Sequence, residues 1–418
     1  MGQSATQIRS GRDRCPGVLE AHQAADGGLV RIRIPGGRLT GEQWHGLATL
    51  AATLGDGDLY LTSRGNIQLR GLRSGAEREL SEGLFTLGLF PSASHERVRN
   101  IAASPLTGLD TLSVLDLRPI IAELDSQLCQ RTRLAALSGR FLFGLDDGRG
   151  DVAALVPDIC ARAVTLTSLT LIIAGLDTGI RLGADAIVGA MLDAAEVFLR
   201  RRAEQGLQAW RISDLSDGAA AEIAVALPQR PGAAPGVTTA GVDRSVPMAG
   251  SRLGTVPQKD GRASVIVMPP LGRVTPSQAA VLSHPKLVIT PWRSIVVPDL
   301  TADQAAQQLT ALRAAGLAVD ADSSWLGVSA CAGKPGCARA LSDVRADAAG
   351  AHGSSDPNLS IAVHWVGCER RCGQPAGDSA TVLATRSGYQ VSVGAQSLDV
   401  GNDPLAVSKA LLKLSRTR

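Results

Sequence analysis

Two stretches of this chain follow one plan, and that duplication limits what the chain can fold into more than any other feature. "VRIRIPGGRLTGEQ" begins at Val30 and "VIVMPPLGRVTPSQ" begins at Val265, a shift of 235 positions. Under that shift Val30, Pro35, Gly37, Arg38, Thr40 and Gln43 meet Val265, Pro270, Gly272, Arg273, Thr275 and Gln278. Each copy opens on an alternating stretch that reads as a strand, half-buried in the first copy. Each continues into a helix announced by a capping box, with Thr40 and Gln43 in one and Thr275 and Gln278 in the other. A second strand follows, where "LYLTSRGNI" answers to "LVITPWRSI", Thr62 on Thr290 and Ile67 on Ile295. Common local grammar explains one strand–helix–strand unit, but six identities with the cap included favour duplication.

The duplication sets an expected organisation. Two small strand–helix–strand units over 15–90 and 260–320 are each followed by a larger α/β segment, over 95–226 and 325–418. A connection over 227–259, rich in Pro and Gly and poor in periodicity, joins the halves. The most apolar run, Val164 to Leu176, is too short to span a bilayer and reads as a buried strand with its approach.

Composition narrows the function. A formal net charge of +3 over 418 residues is too small to suggest nucleic-acid binding through overall charge. The opening "MGQSATQIRSGRDRC" has no apolar signal-peptide core. Gly2 and Thr6 match a loose myristoylation pattern without polybasic support. Seven cysteines are an odd number for a disulfide framework. The expectation is a cytoplasmic protein with reduced thiols, bound to neither nucleic acid nor membrane.

Four of those cysteines form two tight pairs, Cys331 with Cys337 in "CAGKPGC" and Cys368 with Cys372 in "GCERRCG". Thiolates on Gly-rich turns suit an iron–sulfur cluster, because the backbone can approach the inorganic core and donate N–H groups to its sulfurs. Lys334, Arg370 and Arg371 favour the thiolate form. Structural zinc is the rival, although the wider pair departs from the usual zinc knuckle. A dithiol redox site would need C-x-x-C, which is absent. Cys15, Cys129 and Cys160 are scattered and read as ordinary small residues.

These two cysteine motifs resemble the cluster motif of the sulfite and nitrite reductase superfamily. "RIRIPGGRLT", "LTSRGNIQLRG" and "RNIAASPLTGLD" resemble that superfamily's ferredoxin-like half-domains. The resemblance implies an α+β fold with two such half-domains and two larger α/β segments. It also implies a [4Fe-4S] cluster on Cys331, Cys337, Cys368 and Cys372, next to a sirohaem in the reductases. One branch, comprising oxygen-dependent tetrapyrrole monooxygenases, is resembled more closely. For that branch the haem pocket becomes a substrate pocket, and a separate mononuclear non-haem iron is implied. None of the six histidines shows metal-ligand spacing that would identify its ligands. The alternatives are a sirohaem-dependent sulfite or nitrite reductase and an iron–sulfur carrier or tetrapyrrole-binding protein without chemistry.

The expected partners are a carboxylate-rich tetrapyrrole, dioxygen and an external electron donor. No G-x-G-x-x-G follows a strand that could hold a nicotinamide or flavin. Among the basic residues, Arg31 and Arg33 alternate with apolar neighbours and so share one face with each other. The substrate-binding set is Arg31, Arg33, Thr62, Arg64, Asn66, Gln68, Arg70 and Asn100, with Arg99 and Arg140 as catalytic cations. Of these, Thr62, Arg64, Gln68, Arg99, Asn100 and Arg140 are carried over by resemblance. In the reductases a second cation stands at the position of Leu142, and its loss argues against reduction of sulfite or nitrite. The bland reading, that strand arginines only solvate an exposed face, weighs evenly for any one of them. In the second copy Ile266, Met268 and Trp292 replace Arg31, Arg33 and Arg64, leaving Arg293 one position away.

Overall fold

A computed structural model describes residues 13, 15–228, 252–352, 361–375, 379–401 and 403–416. Its described strands form four five-stranded sheets, and the two copies interlock within the first two of them. Sheet 1 runs β1 (His22–Ala24), β2 (Gly27–Ile32), β5 (Ile67–Leu72), β4 (Leu59–Leu61), β13 (Arg273–Val274). Sheet 2 runs β11 (Gly254–Pro257), β12 (Ala263–Val267), β15 (Ile295–Leu300), β14 (Lys286–Ile289), β3 (Arg38–Thr40). Each copy therefore lends its third strand to the edge of the other's sheet. Arg273 pairs with Tyr60, and Leu39 pairs with Leu287.

The exchange needs a tight turn before each lent strand. Gly37 has φ +69°, and a Cβ there would lie 1.9 Å from the Ile289 carbonyl oxygen, so only glycine fits. Both expected capping boxes form, at the start of α1 (Gly41–Leu54) and of α6 (Pro276–Val281). Trp44 on α1 donates its indole N–H to the carbonyl of Ala279, its own counterpart under the 235-residue shift. The matched turns are also alike. Thr62 N–H reaches Asn66 O at 2.9 Å, and Thr290 N–H reaches Ser294 O at 2.9 Å. The two units share one apolar core, in which Val30, Ile32 and Leu69 pack with Val265, Val297 and Leu312. α2 (Glu77–Thr86) and α7 (Ala302–Ala314) add Leu80 and Leu312 to it.

The duplication extends beyond the stretches in which it is legible as sequence. Sheet 3 joins β6 (Ile101–Ala103), β7 (Phe143–Asp146), β8 (Ile159–Ala163), β9 (Leu169–Ile173) and β10 (Leu176–Leu182). Sheet 4 joins β16 (Val328–Ala330), β17 (Ala362–Val366), β18 (Ser379–Thr385), β19 (Gly388–Val393) and β20 (Gln396–Val400). In both, the first three strands pair parallel and the last two antiparallel. α3 (Arg118–Gln130) and α8 (Val344–His352) occupy the same connection in each sheet, between its first and second strands. The long α4 (Ala184–Glu204) and α9 (Pro404–Arg416) follow the last strand of each, and α5 (Ala219–Val225) closes the first half. The expected buried strand is β9, whose residues are all buried.

Of the expected connection over 227–259, most lies outside the described residues. Its end does not behave as a connection, because β11 pairs along β12 and starts sheet 2 at Gly254. Among the described residues no helix is long and apolar enough to cross a membrane.

Candidate active site

The outer face of sheet 1 and the cysteine loops of the second half enclose a cavity of about 730 Å³. Strand alternation places the polar set there. Val30, Leu69 and Leu59 point into the core, while Leu29, Gln68, Arg70, Asp58 and Tyr60 line the cavity. Pairing makes a row across the sheet, Arg31 beside Gln68, Gln68 beside Tyr60, and Tyr60 beside Arg273. The far wall comes from Ala330 to Gly336 and from Cys372, with Arg345 on α8 and Trp325. Arg70 ties the walls together. It grips Asp26 through Nε at 2.9 Å and Nη2 at 3.1 Å, and Nη2 also donates to Gly336 O at 2.8 Å.

The corresponding space in the other half is filled. Ile266 and Met268 stand where Arg31 and Arg33 stand in the first copy. They pack with Leu106 and Leu109 from the loop after β6. The end of β7 and the loop after it carry Asp146, Asp147 and Asp151, whose carboxylate oxygens gather within 4.8 Å. That group reads as a folding network. Asp146 accepts four backbone N–H bonds from Gly148, Gly150, Val152 and Ala153, and Arg149 donates to both Asp147 and Asp110. The duplicated architecture thus keeps one open site and one packed core.

All four paired cysteines belong to the loops after β16 and β17, the ends of two parallel neighbours. Cys331, Cys337 and Cys368 are half-buried and Cys372 is exposed. Cys372 lies within electrostatic reach of the other three thiols. Gly367 N–H donates to Cys331 Sγ at 3.2 Å. No three of these thiols lie within 4.8 Å of one another. Cys372 is also held from behind, by a histidine with no sequence signal. His364 Nε2–H donates to Cys372 O at 3.1 Å, while Nδ1 accepts from Ser329 Oγ at 2.8 Å. Burial pushes the His364 pKa down to about 4 and keeps the ring neutral.

The predicted cations divide into two groups. Arg31, Arg33, Arg64 and Arg140 gather around the Gly139 carbonyl and Cys15. Arg31 Nη1 and Arg33 Nη2 donate to Cys15 Sγ at 3.5 and 3.2 Å, and Arg64 Nη1 donates to Gly139 O at 3.5 Å. Arg140 is exposed and lies over the Trp210 ring at 4.7 Å. Buried Nε of Arg31 and Nη1 of Arg33 have no hydrogen-bond partner. Burial first, then the neighbouring Arg211, Arg33 and Arg31, push the Arg64 pKa down to about 10. The group is built of mutually repelling charges, with donor atoms left unpartnered.

Arg99 belongs elsewhere. Its Nε and Nη2 both donate to Asp125 at 2.7 Å and Nη1 donates to Leu89 O, so its donors serve the protein. Three predicted polar residues are likewise framework. Thr62 Oγ1 accepts from Asn66 N–H, Asn66 Oδ1 accepts from Ile34 N–H, and Asn66 donates to Asn100, which donates to Phe141 O. Asn66 and Asn100 are fully buried. Leu142 is also buried, 4 % exposed, and shapes the core beside Val152. The sequence reasoning missed Asp26, Tyr60, Arg273 and Arg345. The first three were readable from alternation and duplication, but Arg345 carried no signal.

A model of the nitrite/sulfite reductase ferredoxin-like half domain matches residues 22–84. A precorrin-3B synthase of Sinorhizobium sp is 26% identical, over 99% of this chain and 90% of that protein. Along almost its whole length, the chain resembles precorrin-3B synthase. Shorter stretches resemble nitrite and sulfite reductases as well, and the near full-length likeness to precorrin-3B synthase supports an enzyme of oxidoreductase type. A ferredoxin–nitrite reductase of Synechococcus elongatus is 34% identical, but over 29% of this chain and 25% of its own length. The Mycobacterium tuberculosis NirA protein shares the fold, with a TM-score of 0.67 at 19% identity, over 90% of this chain and 76% of that one.

Proposed function

We propose that this protein is an oxygen-dependent monooxygenase that converts precorrin-3A to precorrin-3B in aerobic cobalamin biosynthesis. The meso carbon between rings A and D is hydroxylated and the ring A acetate closes a γ-lactone. One atom of dioxygen enters the product and the other leaves as water, which requires two electrons and two protons from outside the substrate. The observation that carries this reading is the near full-length likeness to precorrin-3B synthase, joined to a cavity lined by Gln68, Arg70, Arg273 and Arg345, with Arg31 paired beside Gln68 in the same sheet.

Cys331, Cys337, Cys368 and Cys372 would hold a [4Fe-4S] cluster, which supplies one-electron transfer when bound. Electrons would come from an external donor. The chain's own residues do the rest of the binding. Arg31, Arg33, Arg64 and Arg140 receive carboxylate arms, for which a guanidinium fork is well suited. Gln68 and Arg70 line the floor beneath the ring. A mononuclear non-haem iron also belongs to this reading.

A second reading, a sirohaem-dependent sulfite or nitrite reductase, is favoured by the higher local identity to nitrite reductases. The apolar Leu142 speaks against it. Incubation of the purified protein with precorrin-3A under heavy-isotope dioxygen tests the proposal. The expected result is a lactone product carrying one labelled oxygen. A protein that carries stoichiometric sirohaem, with strong Soret and red bands and sulfite or nitrite turnover, would overturn it.

A further inference from the structure

The cluster end of the cavity holds a cation, Arg345, that forms no ion pair among the described residues. Arg345 is the second residue of α8 and lines the cavity beside Cys331. Its Nε donates to Cys331 O at 3.3 Å, and its guanidinium lies 5.1 Å from the centre of the Tyr60 ring. Its Nη1 is buried and has no hydrogen-bond partner.

The other arginines of this wall have carboxylates. Arg70 is paired with Asp26, and Arg273 with Asp58. Asp343, two residues before Arg345, caps the Ala346 N–H instead. Arg345 instead feels Arg70, Arg273 and Arg293 as like charges, with burial as the larger burden, so its pKa is pushed down. Arg293 adds charge from a strained position. Its φ is +60°, in the turn place that Gly65 fills in the first copy.

We propose that Arg345 is a second carboxylate anchor, receiving an acetate or propionate arm of the macrocycle at the cluster end of the cavity. It rests on the reading of the cavity as a tetrapyrrole site. The geometry suits a ligand held at both ends. Tyr60, on which Arg345 lies, is two strands from Arg31 in the same row, about 10 Å across the sheet. Carboxylate arms that radiate from one macrocycle can therefore meet Arg31 and Arg64 on one side and Arg345 on the other. Tyr60, whose hydroxyl is held by Asp56 at 2.7 Å, fixes the guanidinium plane.

The cluster-loaded protein titrated with uroporphyrin, an octacarboxylate tetrapyrrole, tests the assignment. Arg345→Gln should weaken binding ten- to hundredfold, and Arg345→Lys should recover part of it. The dependence of affinity on salt should also become shallower in Arg345→Gln, as one ion pair is lost. Iron and labile sulfide should stay at the wild-type level. Wild-type affinity in Arg345→Gln would overturn the anchor and leave the tetrapyrrole reading standing. Failure of the wild type itself to bind would remove both. Loss of iron and sulfide in Arg345→Gln, with no rescue in Arg345→Lys, would assign the residue to the cluster loop instead.

Discussion

Arg64 and Arg99 resemble each other in sequence, each an arginine in a conspicuous motif, yet they answer to different physics. Arg99 faces Asp125 in a fork-to-fork pair, side chains 5% and 21% exposed. Arg64 faces other arginines. Its folded pKa of about 10 lies well below the ordinary arginine value. For a base the sign is unfavourable: the unfolded chain holds the proton more tightly, so Arg64 contributes stability only at extreme alkaline pH. That contribution is gone once the pH has fallen through about 10. Keeping the charge at neutral pH costs at most about 3 kcal/mol, less what solvent still screens. Arg64→Gln should therefore hold or raise the thermal midpoint while weakening tetrapyrrole binding ten- to hundredfold. Arg99→Gln should do the reverse. It strands Asp125 and costs about 2–4 kcal/mol in denaturant unfolding, with tetrapyrrole affinity unchanged. A fall in stability for both variants, with equal affinity, would return the arginine group to a structural role.

At the scale of elements, the loops after the first two strands of sheets 3 and 4 show what duplication and divergence did. In sheet 3 those loops carry Asp110, Asp146, Asp147 and Arg149, and they fold onto themselves. In sheet 4 they carry four thiols on Gly-rich turns. Cys331→Ser, Cys337→Ser, Cys368→Ser or Cys372→Ser should each lower iron and labile sulfide and bleach the visible absorption. Cys129→Ser and Cys160→Ser should leave both at wild-type levels. Full cluster content in any of the first four would remove that residue from the ligand set.

Much of this was legible in the sequence, because it rests on local rules. The capping boxes, the alternating strands and the cysteine spacings each depend on neighbours a few residues apart. What stayed hidden depends on contacts between distant segments. The pairing of Arg99 gave no sign because its partner Asp125 lies on α3, far along the chain. Arg345 gave no sign because only the fold brings α8 over Tyr60. The repeat in sheets 3 and 4 was invisible because topology survived where residue identity did not.

The whole molecule is held by exchange. β3 of the first half completes the sheet of the second, and β13 of the second half completes the sheet of the first. The apolar core between them draws on Val30, Leu47 and Ile67 from one side and on Val265, Leu282 and Ile295 from the other. Neither half can close the edge of its first sheet or bury that unit's core without the other, although sheets 3 and 4 pack on cores of their own, and exposed edges and apolar faces invite aggregation. The cavity depends on the same arrangement, since four strands of sheet 1 come from the first half, while its edge strand β13 and the thiols come from the second. Division at residue 240 leaves every described element intact within one fragment or the other. Fragments 1–240 and 241–418 should each be insoluble or unfolded when made alone. Made together, they should co-purify as a one-to-one complex by size exclusion, because the exchanged strands and the shared apolar core join them. The complex should bind uroporphyrin and take up iron and sulfide, while neither fragment alone does so. A soluble, cooperatively unfolding 1–240 fragment would show that the first half closes its own core and that the exchanged strands are dispensable.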